Sequence, residues 1–182
     1  MRKLFSALVS AVVLFCAAYA AELDPLLRDG AGELWKMSGE SVVRAVPDTF
    51  TWMDQAHSRL RFNARTSRKI LSLFGKNVQE AIFDFRGGRV VSLSVSVYNR
   101  GDAGNIGKKP FEKMLEELRE QIQNVAGAKL RPMSQNATVS GSRLRSLVWK
   151  TGRSDIVLRW SLSRNLPEYI AVDFYPPCRA PR

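Results

Sequence analysis

The chain has 182 residues, 28 Lys and Arg against 17 Asp and Glu, a formal net charge of +11, and 45% hydrophobic residues. That length and apolar content suit a folded domain with its own core and exclude a low-complexity or disordered chain. Two cysteines and one histidine are too few for the usual His/Cys zinc cages, and no Walker loop or Gly-x-Gly-x-x-Gly cradle occurs, so neither a metal nor a cofactor is expected.

Arg2 and Lys3 precede an apolar run, Leu4 to Ala17, and Ala18-Tyr19-Ala20 is a small-x-small cleavage signature. Residues 1–20 therefore read as a secretory signal peptide cleaved near Ala20, and the product is expected to be exported, periplasmic or secreted. The apolar run is shorter than the ~20 residues a membrane-spanning helix needs, so no integral span is expected after cleavage. Removing those residues, two of them basic and none acidic, leaves 162 residues with 26 basic and 17 acidic side chains, a net charge of +9. Cys16 leaves with the leader. Cys178 then stands alone in a Pro/Arg tail, 177–182, expected to be disordered, and no intrachain disulfide is possible. Residues 21–176 are expected to form a single α+β domain.

Leu23 to Met37 reads as a first helix, with Asp24 as N-cap and Pro25 at the first helical position. Glu40 to Val46 adds a short helical turn. Asp48 to Met53 and Ser58 to Phe62 are β-prone; the second alternates Arg59 and Arg61 against Leu60 and Phe62. Ala64 to Gly75 fits either a helix or a strand. Asn77 to Asn99 then carries two alternating runs around Gly87-Gly88, a hairpin signal. Val91, Leu93, Val95 and Val97 fall on its dry face and Ser92, Ser94 and Ser96 on its wet face. A glycine-rich loop, Asn99 to Lys109, leads to Pro110–Ala126. There Phe111, Met114, Leu115, Leu118, Ile122 and Val125 keep the spacing of one helix face. This helix is expected to roof a floor made of the hairpin and the C-terminal strands. Lys129 to Ser142 reads as polar connection. Three strands follow: Arg143–Thr151, a run alternating Ile156, Leu158, Trp160 and Leu162, and a run alternating Ile170, Val172 and Phe174 after a turn at Asn165-Leu166-Pro167. Pro176-Pro177 ends the sheet.

The fold class expected is α+β, a meandering antiparallel sheet with helices packed on one face. Ser58-Arg59-Leu60-Arg61 recurs as Ser142-Arg143-Leu144-Arg145, each ahead of a strand pair, which admits a duplicated α-β-β-β unit. If the two Arg-Leu-Arg strands were neighbours, Arg59, Arg61, Arg143 and Arg145 would merge into one positive sheet face. Trp149 shares parity with Arg143 and Arg145, and Arg159 lies on the next strand. These six residues are the candidate binding set, for an acidic protein or an anionic envelope polymer. Nucleic acid is disfavoured by export. No catalytic residue is assigned. The sole histidine, His57, could pair only with Cys178, and a proline-rich tail would not hold that thiol in activating geometry. Arg100-Gly101-Asp102 spells an adhesion tripeptide, and Asn136-Ala137-Thr138 a glycosylation sequon in an exposed loop.

At Leu73-Phe74-Gly75, Phe83-Asp84-Phe85-Arg86-Gly87-Gly88 and Tyr98-Asn99-Arg100-Gly101-Asp102-Ala103-Gly104 the chain resembles an uncharacterised N-terminal domain of secreted bacterial proteins. That domain sometimes precedes a papain-like cysteine-peptidase domain. The resemblance implies no activity and carries over no catalytic residue. It does imply an alternative role, as a prodomain-like or inhibitor-like partner of a secreted cysteine peptidase.

Overall fold

The computed structural model describes residues 20–139 and 142–177. Residues 1–19, which hold Cys16 and all but the last residue of the expected signal peptide, and residues 178–182, with Cys178, lie outside those residues. The class is α+β, as expected. A short strand β1 (Ala20–Glu22) opens it, then 3-10 turns over Asp24–Ala31 and Leu34–Lys36, then helix α1 (Gly39–Ala45). Strands β2 (Thr51–Trp52), β3 (Arg59–Asn63), β4 (Ile70–Leu73), β5 (Lys76–Asn77), β6 (Glu80–Arg86) and β7 (Arg89–Asn99) follow. Helices α2 (Arg100–Ala103) and α3 (Lys108–Ala126) lead to β8 (Met133–Val139), β9 (Ser142–Lys150), β10 (Asp155–Ser163) and β11 (Leu166–Tyr175).

The main sheet has eight strands in the order β2-β3-β6-β7-β11-β10-β9-β8, every neighbouring pair antiparallel. It is two four-stranded meanders joined through their last strands, β7 and β11. Each meander follows its own helical stretch, so the repeating unit is one strand longer than the α-β-β-β unit expected. The excursion β4–β5 is not part of it. It makes a separate sheet in which β1 runs parallel to β4 and β5 antiparallel to it. The segment 64–75 is thus resolved as turn and strand.

The two hairpin turns have one cause. Gly87 and Gly88 adopt φ of 57° and 73°, and Arg164 and Asn165 adopt 50° and 66°. Two successive positive φ values give the primed turn whose twist matches its flanking strands. The second turn therefore sits at Arg164-Asn165, one residue earlier than expected, and Leu166 and Pro167 belong to β11. In the first hairpin the register slips after Asp84: Asp84 pairs with Ser92 but Phe85 with Val90. Val91 is the extra residue of a bulge, and Val90 takes the buried place assigned to it. A second slip sets Ile170 against Tyr98 and Ala171 against Ser96, so Val97 and Tyr98 are both buried.

One continuous core joins the roof to the sheet. Phe111, Leu118 and Ile122 of α3 are buried and Met114, Leu115 and Val125 half-buried, as the helical spacing requires. α3 lies over β9, β10 and β11, the C-terminal part of the expected floor, but not over the β6–β7 hairpin. Its first turn reaches across, where Phe111 meets Tyr98 edge-on at 5.8 Å between ring centres. The hairpin is covered by the N-terminal segment, whose turn Leu34–Lys36 packs on β7 and whose Met37 carbonyl accepts the Val90 N–H. Here Gly39 is needed for close approach, because a Cβ on it would stand 2.2 Å from the Trp52 ring.

The first helix is not a regular one. Arg28 to Gly30 leave the helical region, and Asp29 and Gly30 take positive φ. No side chain caps its start; the Asp24 carboxylate instead accepts the Phe74 N–H at 2.8 Å. The break docks the segment on the β9–β10 turn. The buried Ser154 hydroxyl donates to the Gly30 carbonyl at 2.7 Å, and the Trp35 indole donates to the Arg153 carbonyl at 2.9 Å. Residues 129–142 also differ from expectation, since Met133–Val139 form the last strand of the sheet.

Candidate functional site

Strand pairing decides which side chains share a face, because directly opposed residues project the same way. Leu60 and Phe62 of β3 are buried under the roof, so Arg59 and Arg61 emerge on the open face. On β9, Trp149 pairs with Ile156, Leu147 with Leu158, Arg145 with Trp160 and Arg143 with Leu162. Ile156 and Leu158 are core residues, so Arg143, Arg145 and Trp149 lie on the helix side. Arg159 pairs with Ala171 and Ser146 on the open side. The six candidate residues therefore do not form one surface. β3 and β9 are also separated by four strands. The recurring tetrapeptide occupies the second strand of each meander, but shifted by one residue, and a one-residue shift turns every side chain to the other face.

The open-face arginines are neutralised in place. The Arg59 Nε donates to Asp84 at 2.7 Å, and the Ser92 hydroxyl donates to the other oxygen of that carboxylate at 2.7 Å. Arg61 donates to Glu80 at 2.6 Å. Arg159 grips Asp173 through both oxygens, its Nη2 at 2.8 Å from Oδ1. Ser94 donates to the same carboxylate at 2.6 Å. Burial alone would depress the Arg159 guanidinium; the hydrogen bonds and charge of Asp173 outweigh it and raise it instead. Trp149 is fully buried and donates its indole N–H to Gln123 of α3 at 3.0 Å, so it is core.

Tyr169 and Tyr175 flank the Arg159–Asp173 pair, a cluster that charge counting passes over. Burial raises both phenols above the ordinary 10.0, Arg159 pulling the other way and Asp173 adding to the rise. The folded chain thus holds these protons more tightly than the unfolded chain. Stability is expected to be intact below pH 10.0 and to fall as pH rises through the raised folded values. A denaturant series across that range, followed with phenolate absorbance, checks it; a flat profile in wild type but not in Tyr169→Phe/Tyr175→Phe would contradict it.

On the helix side, Arg143 and Arg145 are exposed and make no ion pair among the described residues. Arg145 stands at the rim of a groove of about 280 Å³ between α3 and β9–β10, floored by Phe111, Leu115, Leu147, Leu158, Trp160 and Leu162. The other rim charges cancel, Lys108 lying 3.6 Å from Glu112 and Arg119 3.5 Å from Glu116, which leaves Arg145 as the surplus cation. A more open recess of about 240 Å³ runs along β8 and β9, lined by Asn136, Ala137, Thr138, Arg143, Leu144 and Arg145. Lys108, Arg119, Asn136 and Thr138 were not candidates from the sequence; the β8–β9 register sets Asn136 against Arg145 and Thr138 against Arg143, and α3 brings Lys108 and Arg119 to the groove that Arg145 lines.

The remaining motifs are internally engaged. His57 stacks on Trp52 with ring centres 4.5 Å apart. The tripeptide's Asp102 pairs with Arg65 at 2.8 Å and its Arg100 with Glu168 at 2.9 Å. The sequon's Asn136 is on strand β8, not in a loop. Among the described residues no cluster of three or more His, Cys, Asp or Glu side chains converges, and no helix is long and apolar enough to cross a membrane. No family model, no curated protein and no solved structure matches the chain.

Proposed function

We propose that the chain is an exported, non-catalytic binding or accessory module whose contact surface for an acidic protein or anionic envelope polymer is the Arg143–Arg145 end of β9. The observation that supports this reading is the contrast among its arginines. Arg59, Arg61 and Arg159 each have a carboxylate partner. Arg143 and Arg145 are exposed and have none among the described residues, and Arg145 lines an apolar groove. A guanidinium without an internal partner offers its full fork of donors to a carboxylate, phosphate or sulfate.

The test is retention of the mature chain on an immobilised polyanion at low salt. Arg143→Ala/Arg145→Ala is expected to weaken binding on the order of tenfold, at up to ~1 kcal/mol per exposed contact. Arg59→Ala/Arg61→Ala is expected to change it less, since both guanidinium groups are already engaged by Asp84 and Glu80 and stand on the opposite face of the sheet. Equal loss in the two variants, or none in the first, removes the reading.

A further inference from the structure

The main sheet ends on two unlike edges. β2 is two residues long, too short to template a partner. β8 spans seven residues, Met133–Val139, paired residue for residue with β9 and without a bulge. Edge strands of that length are ordinarily blunted by lysine, proline or a bulge. β8 reads MSQNATV, with no charge and no proline. Met133 to Thr138 are all exposed, and among the described residues no strand pairs with the outer side of β8. Such an edge presents a row of backbone donors and acceptors to an added strand.

The same edge has a charge signature on one face. Asn136 pairs with Arg145 and Thr138 with Arg143, so all four project on the helix side. Asn136 and Thr138 are short, and a recess along β8 and β9 is lined by Asn136, Ala137, Thr138, Arg143, Leu144 and Arg145. An added strand would lie two strand spacings from β9, about 9.6 Å. Extended arginine and glutamate side chains together cover that distance over the short residues between them.

We propose that β8 receives an extended segment of a partner protein as a ninth strand, with acidic side chains at alternate positions facing Arg143 and Arg145. The proposal rests on the acidic-partner reading above and gives it a geometry. Main-chain hydrogen bonds supply affinity and the alternate acids supply specificity, as in other strand additions. A second copy of this chain is the poorer occupant. Pairing β8 with β8 would bring Asn136 and Thr138, not acids, to the added strand and leave both pairs of arginines without a partner.

The probe is a synthetic peptide alternating valine and glutamate. The controls are an isomer with the same residues in two blocks and soluble polyglutamate, each added to the mature chain. The alternating peptide is expected to bind at least tenfold tighter than the block isomer and to slow amide hydrogen exchange at residues 133–138. Arg143→Ala/Arg145→Ala is expected to weaken both peptides. Of any two adjacent strand residues, one turns its N–H outward. Gln135→Pro and Asn136→Pro are therefore compared, and the one that keeps the wild-type melting transition is expected to lose the alternating peptide. If both variants unfold, exchange in the wild-type chain decides. Equal binding of the isomers and polyglutamate, with no protection at residues 133–138, overturns the strand addition and leaves the acidic contact standing. Absence of binding to any of the three overturns both. Protection of residues 133–138 that rises with protein concentration alone overturns the choice of occupant.

Discussion

Trp149→Ala is expected to destabilise the fold by about 3–5 kcal/mol, read as a fall in the denaturant midpoint at unchanged slope. Two losses combine. The ring is fully buried, opposite Ile156 on the roofed side of the sheet, so truncation leaves a cavity no neighbour can fill. The indole N–H is also the donor to Gln123, whose amide nitrogen in turn donates to the Gly127 carbonyl at 2.8 Å and the Leu130 carbonyl at 2.7 Å. That one glutamine closes the C-terminal end of α3 and fixes it to β9. Trp149→Phe keeps most of the volume but orphans the Gln123 oxygen, and is expected to cost about 1–3 kcal/mol. Gln123→Leu orphans the indole and is expected to fall in the same range. Because the ring is in the core, Trp149→Phe is expected to retain wild-type binding to a polyanion. Loss of that binding at unchanged stability would restore the surface role that parity with Arg143 and Arg145 suggests.

Trp149 also shows what was legible and what was not. Local signals identified the elements whose patterns are strong: α3 by its apolar spacing, β6–β7 by alternation around Gly87-Gly88, and β10 and β11 by long alternating runs. Alternation separates two faces but does not say which of them is roofed. Read with Trp149 as surface, Arg143 and Arg145 join Arg59 and Arg61; read with Trp149 as core, they go to the opposite side. A fully buried tryptophan is the stronger anchor of the two readings, and parity from it would have placed both arginines correctly. The bulges at Val91 and Val97 were illegible because each adds one residue without breaking the apolar run. β8 was illegible because an edge strand has little to bury and so carries no alternation. The pairing of Arg59 with Asp84 and of Arg159 with Asp173 depends on strand order, which local patterns do not contain. The N-terminal segment was read as one helix because Leu26, Leu27 and Leu34 suit one. The turn at Asp29-Gly30 won because Ser154 and Arg153 hold its carbonyls.

Arg159→Ala is expected to be the most damaging single change on the open face, and more damaging than Asp173→Ala. The two partners differ in exposure: the Asp173 side chain is 1% accessible and that of Arg159 36%. Without Arg159, a carboxylate remains shut between β7 and β10 with Ser94 as its one donor. Breaking a buried pair in this way costs about 3–5 kcal/mol. Without Asp173, the guanidinium can turn to water, so the loss is limited to its hydrogen bonds and the Ser94 acceptor, about 1–2 kcal/mol. The double variant is expected to resemble Asp173→Ala rather than the sum, a coupling of at least ~2 kcal/mol. Arg159→Lys keeps the charge but not the fork, and is expected to fall between wild type and alanine. The strain of a lone carboxylate would be felt where the two meanders join, since Asp173 pairs with Ser94 of β7 on one side and Val157 of β10 on the other. Amide exchange is therefore expected to rise first along β7 and β11 in Arg159→Ala. Were Arg159 instead a contact for an anionic partner, the variant would keep its stability and lose retention on a polyanion; that pattern would overturn its assignment as the clamp between the two halves of the sheet.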